Sequence, residues 1–398
     1  MQSVFEKIEN LNGGNMRFGT GATRTILDRL GMPDEGLKIV HIAGTNGKGS
    51  VAEYITQILI SAGKRVGTFT SPAAESYFEQ FRINGENIER DRLASYFERA
   101  YAAAEGATAF EVQTAGAILA FNKEGCEYAV IECGLGGLLD ATNAVNKKKV
   151  AVIASIALEH TAVLGETVEK ICAHKAGIIK NCPAVVSALQ PPEARKYFEK
   201  LKVRFADNGL KILESGLDGV KFSYGGNTYN THICGDEQAY NAATAIEAAH
   251  VLGIEESAIS DGIFKARLVA RLQIIKSRGN TYIVDGGHNP AAMQPLARLL
   301  KRFDKNGVTL IFGCLSDKDI CGNLRALEGC ALRIIAVSPP SVRATSLNKI
   351  TEVCGRYFPE VESAQSVGSA LEKSAGTVAV CGSFTLVKEA LNWIDREL

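Results

Sequence analysis

No two cysteines in this chain stand in a CxxC spacing. The ten, Cys126, Cys133, Cys172, Cys182, Cys234, Cys314, Cys321, Cys330, Cys354 and Cys381, are scattered, which argues against a zinc knuckle and a thioredoxin-like redox motif. There is no surplus of charge either, with 44 Lys and Arg against 44 Asp and Glu. Without a basic field the chain has nothing to draw in nucleic acid or an acidic membrane surface. No apolar run approaches the ~20 residues that span a bilayer. The opening stretch MQSVFEKIENLNGG has no basic start followed by an apolar core, so no signal peptide is expected. Reduced thiols and a cytoplasmic location are the corresponding expectations. Internal repeats and low-complexity segments are also missing.

What is present is a long, balanced chain of 398 residues, 46% of them hydrophobic, which implies two domains rather than one. Short β-rich apolar runs at 39–43, 65–70, 128–132, 150–156 and 184–188 alternate with helical patterns at 51–62 and 114–123. The first helical pattern has apolar residues at 51, 55, 58, 59 and 62, with Gly63 as its stop. Such alternation predicts an α/β fold with a mostly parallel sheet. A second series of buried strands, 282–285, 308–312, 333–337 and 378–381, follows, with a helix predicted over 290–303. Between the series, the Gly-, Tyr- and Thr-rich stretch 211–233 reads as a small antiparallel hairpin region. The expected domains are 1–268 and 269–398.

Gly44-Thr45-Asn46-Gly47-Lys48-Gly49-Ser50 lies between a predicted strand and a predicted helix. Glycines let successive N–H groups turn inward, the helix N-terminus adds positive potential and Lys48 adds a full charge, so the segment reads as a phosphate loop. Its spacing is shorter than GxxxxGK[ST], with Gly49 between Lys48 and Ser50. Ser71, Glu132 and His160 follow or end predicted strands, the edge where such sheets bind ligands. The first two suit Mg²⁺, which prefers oxygen donors, and His160 is the less typical ligand. A lone histidine is also compatible with a structural role. Lys175, in KAGIIK, is either a solvated lysine at a helix end or a lysine held near metal.

The blocks GTNGKGS, TSP, IECGLGGLLDATN, SIALEHTAVLGETVEKICAHKAGIIK, DGGHNP and CGSFTLV together resemble the folylpolyglutamate synthase/dihydrofolate synthase family, a branch of the Mur ligase superfamily. They run in the family's order from about residue 15 to 387, nearly the whole chain. The resemblance implies an N-terminal P-loop ATPase domain and a smaller Rossmann-like C-terminal domain that close on each other. It implies ATP and Mg²⁺ at two sites, with Gly47 to Ser50 as phosphate loop and Ser71, Glu132 and His160 as ligands. Lys175 matches a lysine that is carbamylated in the family and helps hold the second Mg²⁺. Asn241, Arg271 and Asp285 match ATP contacts, and Phe110-Glu111 and Leu139-Asp140-Ala141 align with pteroate-binding segments. Chemistry falls to Lys48, Lys175, His160 and His288. For His288, positioning glutamate and merely shaping its turn stand as equal readings.

The chain departs from the family at Ala73-Ala74 after TSP, at Gln80-Phe81 in the segment before Asn84-Gly85, and at Leu138 in place of an arginine. It departs also at Glu159, His174, Glu237-Gln238 and Val269-Ala270. The activity implied is transfer of the ATP γ-phosphoryl group to an acceptor carboxylate, followed by attack of an amino-acid amine on the acyl phosphate. The expected acceptor is a folate, either tetrahydrofolate or dihydropteroate, and the expected amine is L-glutamate. The rival reading is the same ligation on a non-folate acceptor such as a cell-wall precursor. The partners implied are small molecules, with no nucleic acid and no membrane, and the resemblance implies a monomer.

Overall fold

Lys38–Ala43, written KIVHIA, alternates nothing: it is apolar or β-branched almost throughout and forms a strand, β1, buried at five of its six residues. Burial on both faces is the mark of a central strand in a parallel sheet. In this computed structural model, which describes residues 3–12, 18–73 and 76–397, β1 lies inside an eight-stranded sheet. Its other strands are β2 (Val66–Phe69), β3 (Phe81–Ile83), β4 (Glu86–Asn87), β5 (Tyr128–Glu132), β6 (Val150–Ile153), β7 (Ala184–Ser187) and β8 (Arg204–Ala206). The order is β4-β3-β2-β5-β1-β6-β7-β8. Every pairing is parallel except β2 with β3 and β3 with β4. The carboxyl ends of β2, β5, β1 and β6 are therefore neighbours. They lead to Ser71, Glu132, residues 44–50 and His160 in turn.

The helix Lys48–Ser61 follows β1 and buries Val51, Tyr54, Ile55, Ile58 and Leu59. The helix Ala109–Lys123 begins five residues before the predicted 114. Its start is set by a capping box, in which Thr108 Oγ1 accepts from Glu111 N and Glu111 Oε2 accepts from Thr108 N at 2.7 Å. β6 ends at Ile153, short of the predicted 156. There the Ser155 carbonyl accepts from Thr45 N (2.8 Å) and Asn46 N (3.1 Å), which holds this stretch against the residue 44–50 loop.

Strands β9 (Lys211–Gly216), β10 (Gly219–Tyr224) and β11 (Asn227–Thr231) form a three-stranded sheet where a hairpin region is predicted. Beyond it, β12 (Gln273–Ser277), β13 (Asn280–Asp285), β14 (Val308–Phe312), β15 (Arg333–Val337), β16 (Glu360–Ala364) and β17 (Thr377–Cys381) form a six-stranded sheet ordered β12-β13-β17-β14-β15-β16. It is parallel but for β12 with β13. Its core gathers Ile283, Leu310, Phe312, Ile334 and Ala379.

The chain divides into two units. One takes the described residues of Met1–Lys211, Phe222–Asn230 and Ala239–Ala266, the other those of Ile212–Lys221, Thr231–Gln238 and Arg267–Leu398. Both are α/β. All ten cysteines are free thiols. Among the described residues no helix is long and apolar enough to cross a membrane.

Candidate active site

The glycine-rich loop of residues 44–50 leaves β1 and enters its helix through Gly47, whose φ of 85° lies in the left-handed region. A side chain at this position meets two obstacles. The conformation itself costs an L-residue about 1–2 kcal/mol, and a Cβ would lie 2.5 Å from Asn241 Oδ1. Asn241, buried on the helix Glu237–Val251, is thereby placed against the loop. Gly47→Ala is expected to lower stability by roughly 1–2 kcal/mol and, by displacing Asn241, to raise the KM for ATP about tenfold, ~1.4 kcal/mol of binding. Denaturant unfolding and steady-state kinetics read the two effects. An unchanged KM would detach Asn241 and Gly47 from the nucleotide.

Lys48 turns back over the loop. Its Nζ donates to the Thr45 carbonyl at 3.3 Å and lies 3.7 Å from Glu132 Oε1. The Glu132 side chain is 4% exposed at the end of β5. Ser71 N donates to Glu132 Oε2 at 3.4 Å, and a Cβ on Gly49 would stand 3.6 Å from the same oxygen. Lysine, carboxylate, the backbone of the Ser71 turn and the loop thus meet at one sheet edge. A buried carboxylate beside a hydroxyl-bearing residue and a phosphate loop is an oxygen-rich donor set that fits a hard divalent cation. Among the described residues no three His, Cys, Asp or Glu side chains cluster closely enough to hold a metal by themselves. A hydroxyl and the nucleotide's own phosphate oxygens would have to complete such a site. His160 opens the short helix Thr161–Leu164 with a left-handed φ of 51°, and its Nε2 lies 3.9 Å from Glu159 Oε1.

Lys175 is not a solvated helix end. It is buried in the helix Val168–Ala176, and its Nζ donates to the Gly44 carbonyl at 2.6 Å. Burial, and then the nearby charge of Lys48, push its pKa down to about 7, against the opposing pull of Glu159, Cys133 and Asp140. Asp140 is buried too. It accepts from Leu135 N (2.7 Å), Thr142 N (3.0 Å) and Thr142 Oγ1, so its carboxylate organises the loop after β5. Burial pushes the Asp140 pKa up, while those N–H donors hold it down.

The residues expected to meet the acceptor are separated in kind. Glu111 has its carboxylate committed to the helix cap, and Phe110 packs on Phe69 with ring centroids 5.7 Å apart. Leu139 is 44% exposed and lines a pocket of about 260 Å³ together with Phe18, Leu135, Val163, Leu164 and His174. Ala141, by contrast, is buried. Leu138, at the family's arginine position, is 47% exposed. Its backbone N–H donates to the His174 carbonyl at 2.7 Å, which ties this loop to the Lys175 helix. The family resemblance points to Leu139 in this pocket but not to Phe18, Val163 or Leu164, which the fold brings to it from elsewhere in the chain. Ala73 is among the described residues and Ala74 lies outside them.

In the second unit, Asp285 ends β13 and accepts from Leu272 N (2.8 Å) and Gly287 N (2.7 Å). Burial raises its pKa, while Arg271 and these donors oppose the rise. Arg271 stands between two left-handed non-glycine residues, Ala270 (φ 58°) and Leu272 (φ 44°). His288 Nδ1 donates to the Gly286 carbonyl at 3.0 Å. Glu237, one of the departures, pairs with Arg298.

The model of the Mur ligase middle domain matches residues 42–249, and that of the Mur ligase glutamate ligase domain matches residues 270–384. The dihydrofolate synthase/folylpolyglutamate synthase of Escherichia coli is 34% identical over 408 residues, covering 99% of this chain and 96% of that protein. The Bacillus subtilis protein of the same name is 31% identical, covering 90% and 92%. Among solved structures, E. coli FolC in complex with DHPP and ADP superposes with a TM-score of 0.87 at 30% identity, over 100% of this chain and 99% of that one. A bifunctional folylpolyglutamate synthase/dihydrofolate synthase with Mn, AMPPNP and L-glutamate bound gives a TM-score of 0.85 at 28% identity, over 99% and 98%.

Proposed function

Because this chain belongs to the dihydrofolate synthase/folylpolyglutamate synthase family of Mur ligases, we propose that its phosphate loop, Lys48, Glu132 and Lys175 serve one reaction, the ATP-driven ligation of L-glutamate to a folate. The enzyme is an ATP-dependent C–N ligase that uses ATP and a divalent metal. The observation that carries the assignment of roles is the meeting of Lys48 Nζ with Glu132 at 3.7 Å above the phosphate loop.

Phosphoryl transfer asks a protein mainly for position and charge neutralisation. The backbone N–H groups of residues 47–50, at the start of the helix, would grip the phosphates, and Lys48 would face the charge that develops on the transferred group. Ser71, Glu132 and His160 would hold Mg²⁺, which would supply charge neutralisation to the phosphates. The acceptor's carboxylate takes the γ-phosphoryl group and ADP leaves. The amine of glutamate then attacks the acyl carbon, phosphate departs with the C–O bonding pair, and an amide remains. The pocket beside Leu139 is apolar and of a size to receive a flat ring system, which supports an aromatic acceptor head. A carbamate on Lys175 would turn a buried cation into an anion able to serve a second metal. The depressed pKa, which leaves much of the amine uncharged near neutrality, supports this role. Asn241, Arg271 and Asp285 are proposed to contact the nucleotide, and His288 the glutamate. The same reading places a monomeric enzyme in the cytoplasm, acting on small molecules.

Phosphate release from ATP, measured with Mg²⁺, L-glutamate and one acceptor at a time, tests the reading. Tetrahydrofolate or dihydropteroate is expected to stimulate release at least tenfold over the acceptor-free rate, a barrier change of ~1.4 kcal/mol, and a cell-wall peptide precursor is expected not to. Stimulation by the precursor alone would redirect the ligase to another acceptor, with Leu138 and Ala73 as the first residues to suspect.

A further inference from the structure

Phe384 is the first residue of the C-terminal helix Phe384–Glu397, and no part of the chemistry above uses it. Its ring is half-buried rather than sealed into the core. The Arg271 guanidinium carbon lies 4.6 Å from the ring centroid, inside the range of a cation–π contact. The His288 ring stands 6.0 Å from the same centroid at an interplanar angle of 59°. The approach is possible because residue 286 is glycine: a Cβ there would lie 2.4 Å from Phe384 Cε1. The backbone around the ring is tied down on both sides. Gly286 N donates to the Ala270 carbonyl at 2.8 Å, Gly382 N donates to the Gly287 carbonyl at 3.1 Å, and Leu386 N donates to Ser383 Oγ at 3.2 Å.

We propose that Phe384 is a positioning residue for the ligase reaction, its ring being the fixed platform on which Arg271 and His288 are set. The proposal rests on the reading of Arg271 as a nucleotide contact. Arginine carries many rotamers, and a guanidinium laid on an aromatic face enters its site with fewer of them to lose. Leucine at 384 would fill much of the space without offering a π face. Tyrosine would keep the face.

The test is a double-mutant cycle in the full-length enzyme, read by the KM for ATP and by kcat, with circular dichroism as the check on folding. Arg271→Ala is expected to raise the KM for ATP at least tenfold. Phe384→Leu is expected to raise it roughly three- to tenfold, the range of a cation–π contact, with a smaller change in kcat, and Phe384→Tyr is expected to restore it. In the pair Arg271→Ala, Phe384→Leu, the second substitution should add less than twofold. Additive effects, or a Phe384→Leu variant altered only in thermal stability, would overturn the platform. If Arg271→Ala itself leaves the KM for ATP unchanged, the nucleotide role of Arg271 fails and the platform falls with it. That result is distinct from an Arg271 effect to which Phe384 is indifferent.

Discussion

Lys48→Ala is expected to reduce ATP turnover by at least a thousandfold and to leave the fold intact. The size follows from position. Lys48 is the one full positive charge on the residue 44–50 loop, and its Nζ already lies within 3.7 Å of the buried Glu132 carboxylate. Removing one preorganised donor from a developing negative charge costs on the order of 10²–10³ in kcat, and a full charge at a phosphate costs more. Stability should change little. The Lys48 side chain is 18% exposed, and the helix that it opens is held by Val51, Ile55, Ile58 and Leu59 rather than by that ion pair. Phosphate release with saturating acceptor and glutamate, next to a thermal unfolding curve, separates the two effects. Turnover within tenfold of the parent would end the phosphate-loop reading.

Lys175→Ala is expected to lose activity by about a hundredfold or more, at least the order of losing a single preorganised donor, and to recover part of it when formate, acetate or propionate is supplied. The Lys175 amine is buried against the Gly44 carbonyl, and its pKa of about 7 leaves a sizeable unprotonated fraction at pH 7–8. Only that form attacks carbon dioxide, forming an N–C bond and releasing one proton to give the carbamate. If Lys175 carries the proposed carbamate, a small carboxylate entering the space of the deleted chain would supply the same anionic group. The depressed pKa has a thermodynamic sign as well. Between about pH 7 and the ordinary lysine value the unfolded chain binds more protons at this site than the folded chain. The Lys175 contribution to stability therefore rises with pH through that window and is at its most unfavourable below it. Full activity in the variant with no response to carboxylates would return Lys175 to a structural role.

Which parts of this could be read in the residues follows from the range of the forces involved. β5, β14 and β15 match the predicted runs residue for residue because an unbroken apolar run in a buried strand is a local signal. The strand Glu360–Ala364, at the edge of its sheet with only Ala364 buried, offers no such run and was missed. The start of the helix at Ala109 was missed because periodicity does not weigh a cap. Thr108 and Glu111, three apart, carried that message. The segments 212–221 and 231–238, which group with the second unit, carry no linker composition, since membership is decided by partners far along the chain. The same holds in the site. Residues 44–50 are contiguous, so their glycines and Lys48 can be read together, whereas the contact of Lys175 with Gly44 spans 131 residues. The approach of Phe384 to Arg271 joins residues more than a hundred apart, and no spacing rule reaches that far.

The strand order sets a schedule for synthesis on the ribosome. β1 carries the phosphate loop at its end, yet its only neighbours in the sheet are β5 and β6. A nascent chain that has released residues up to 127 holds every loop glycine and Lys48, but none of the strands against which β1 will pair. β2 is left without its β5 neighbour on one side for the same interval. The edge on which residues 44–50 stand beside Glu132 is therefore built late, after a long loop has been closed at an entropic cost.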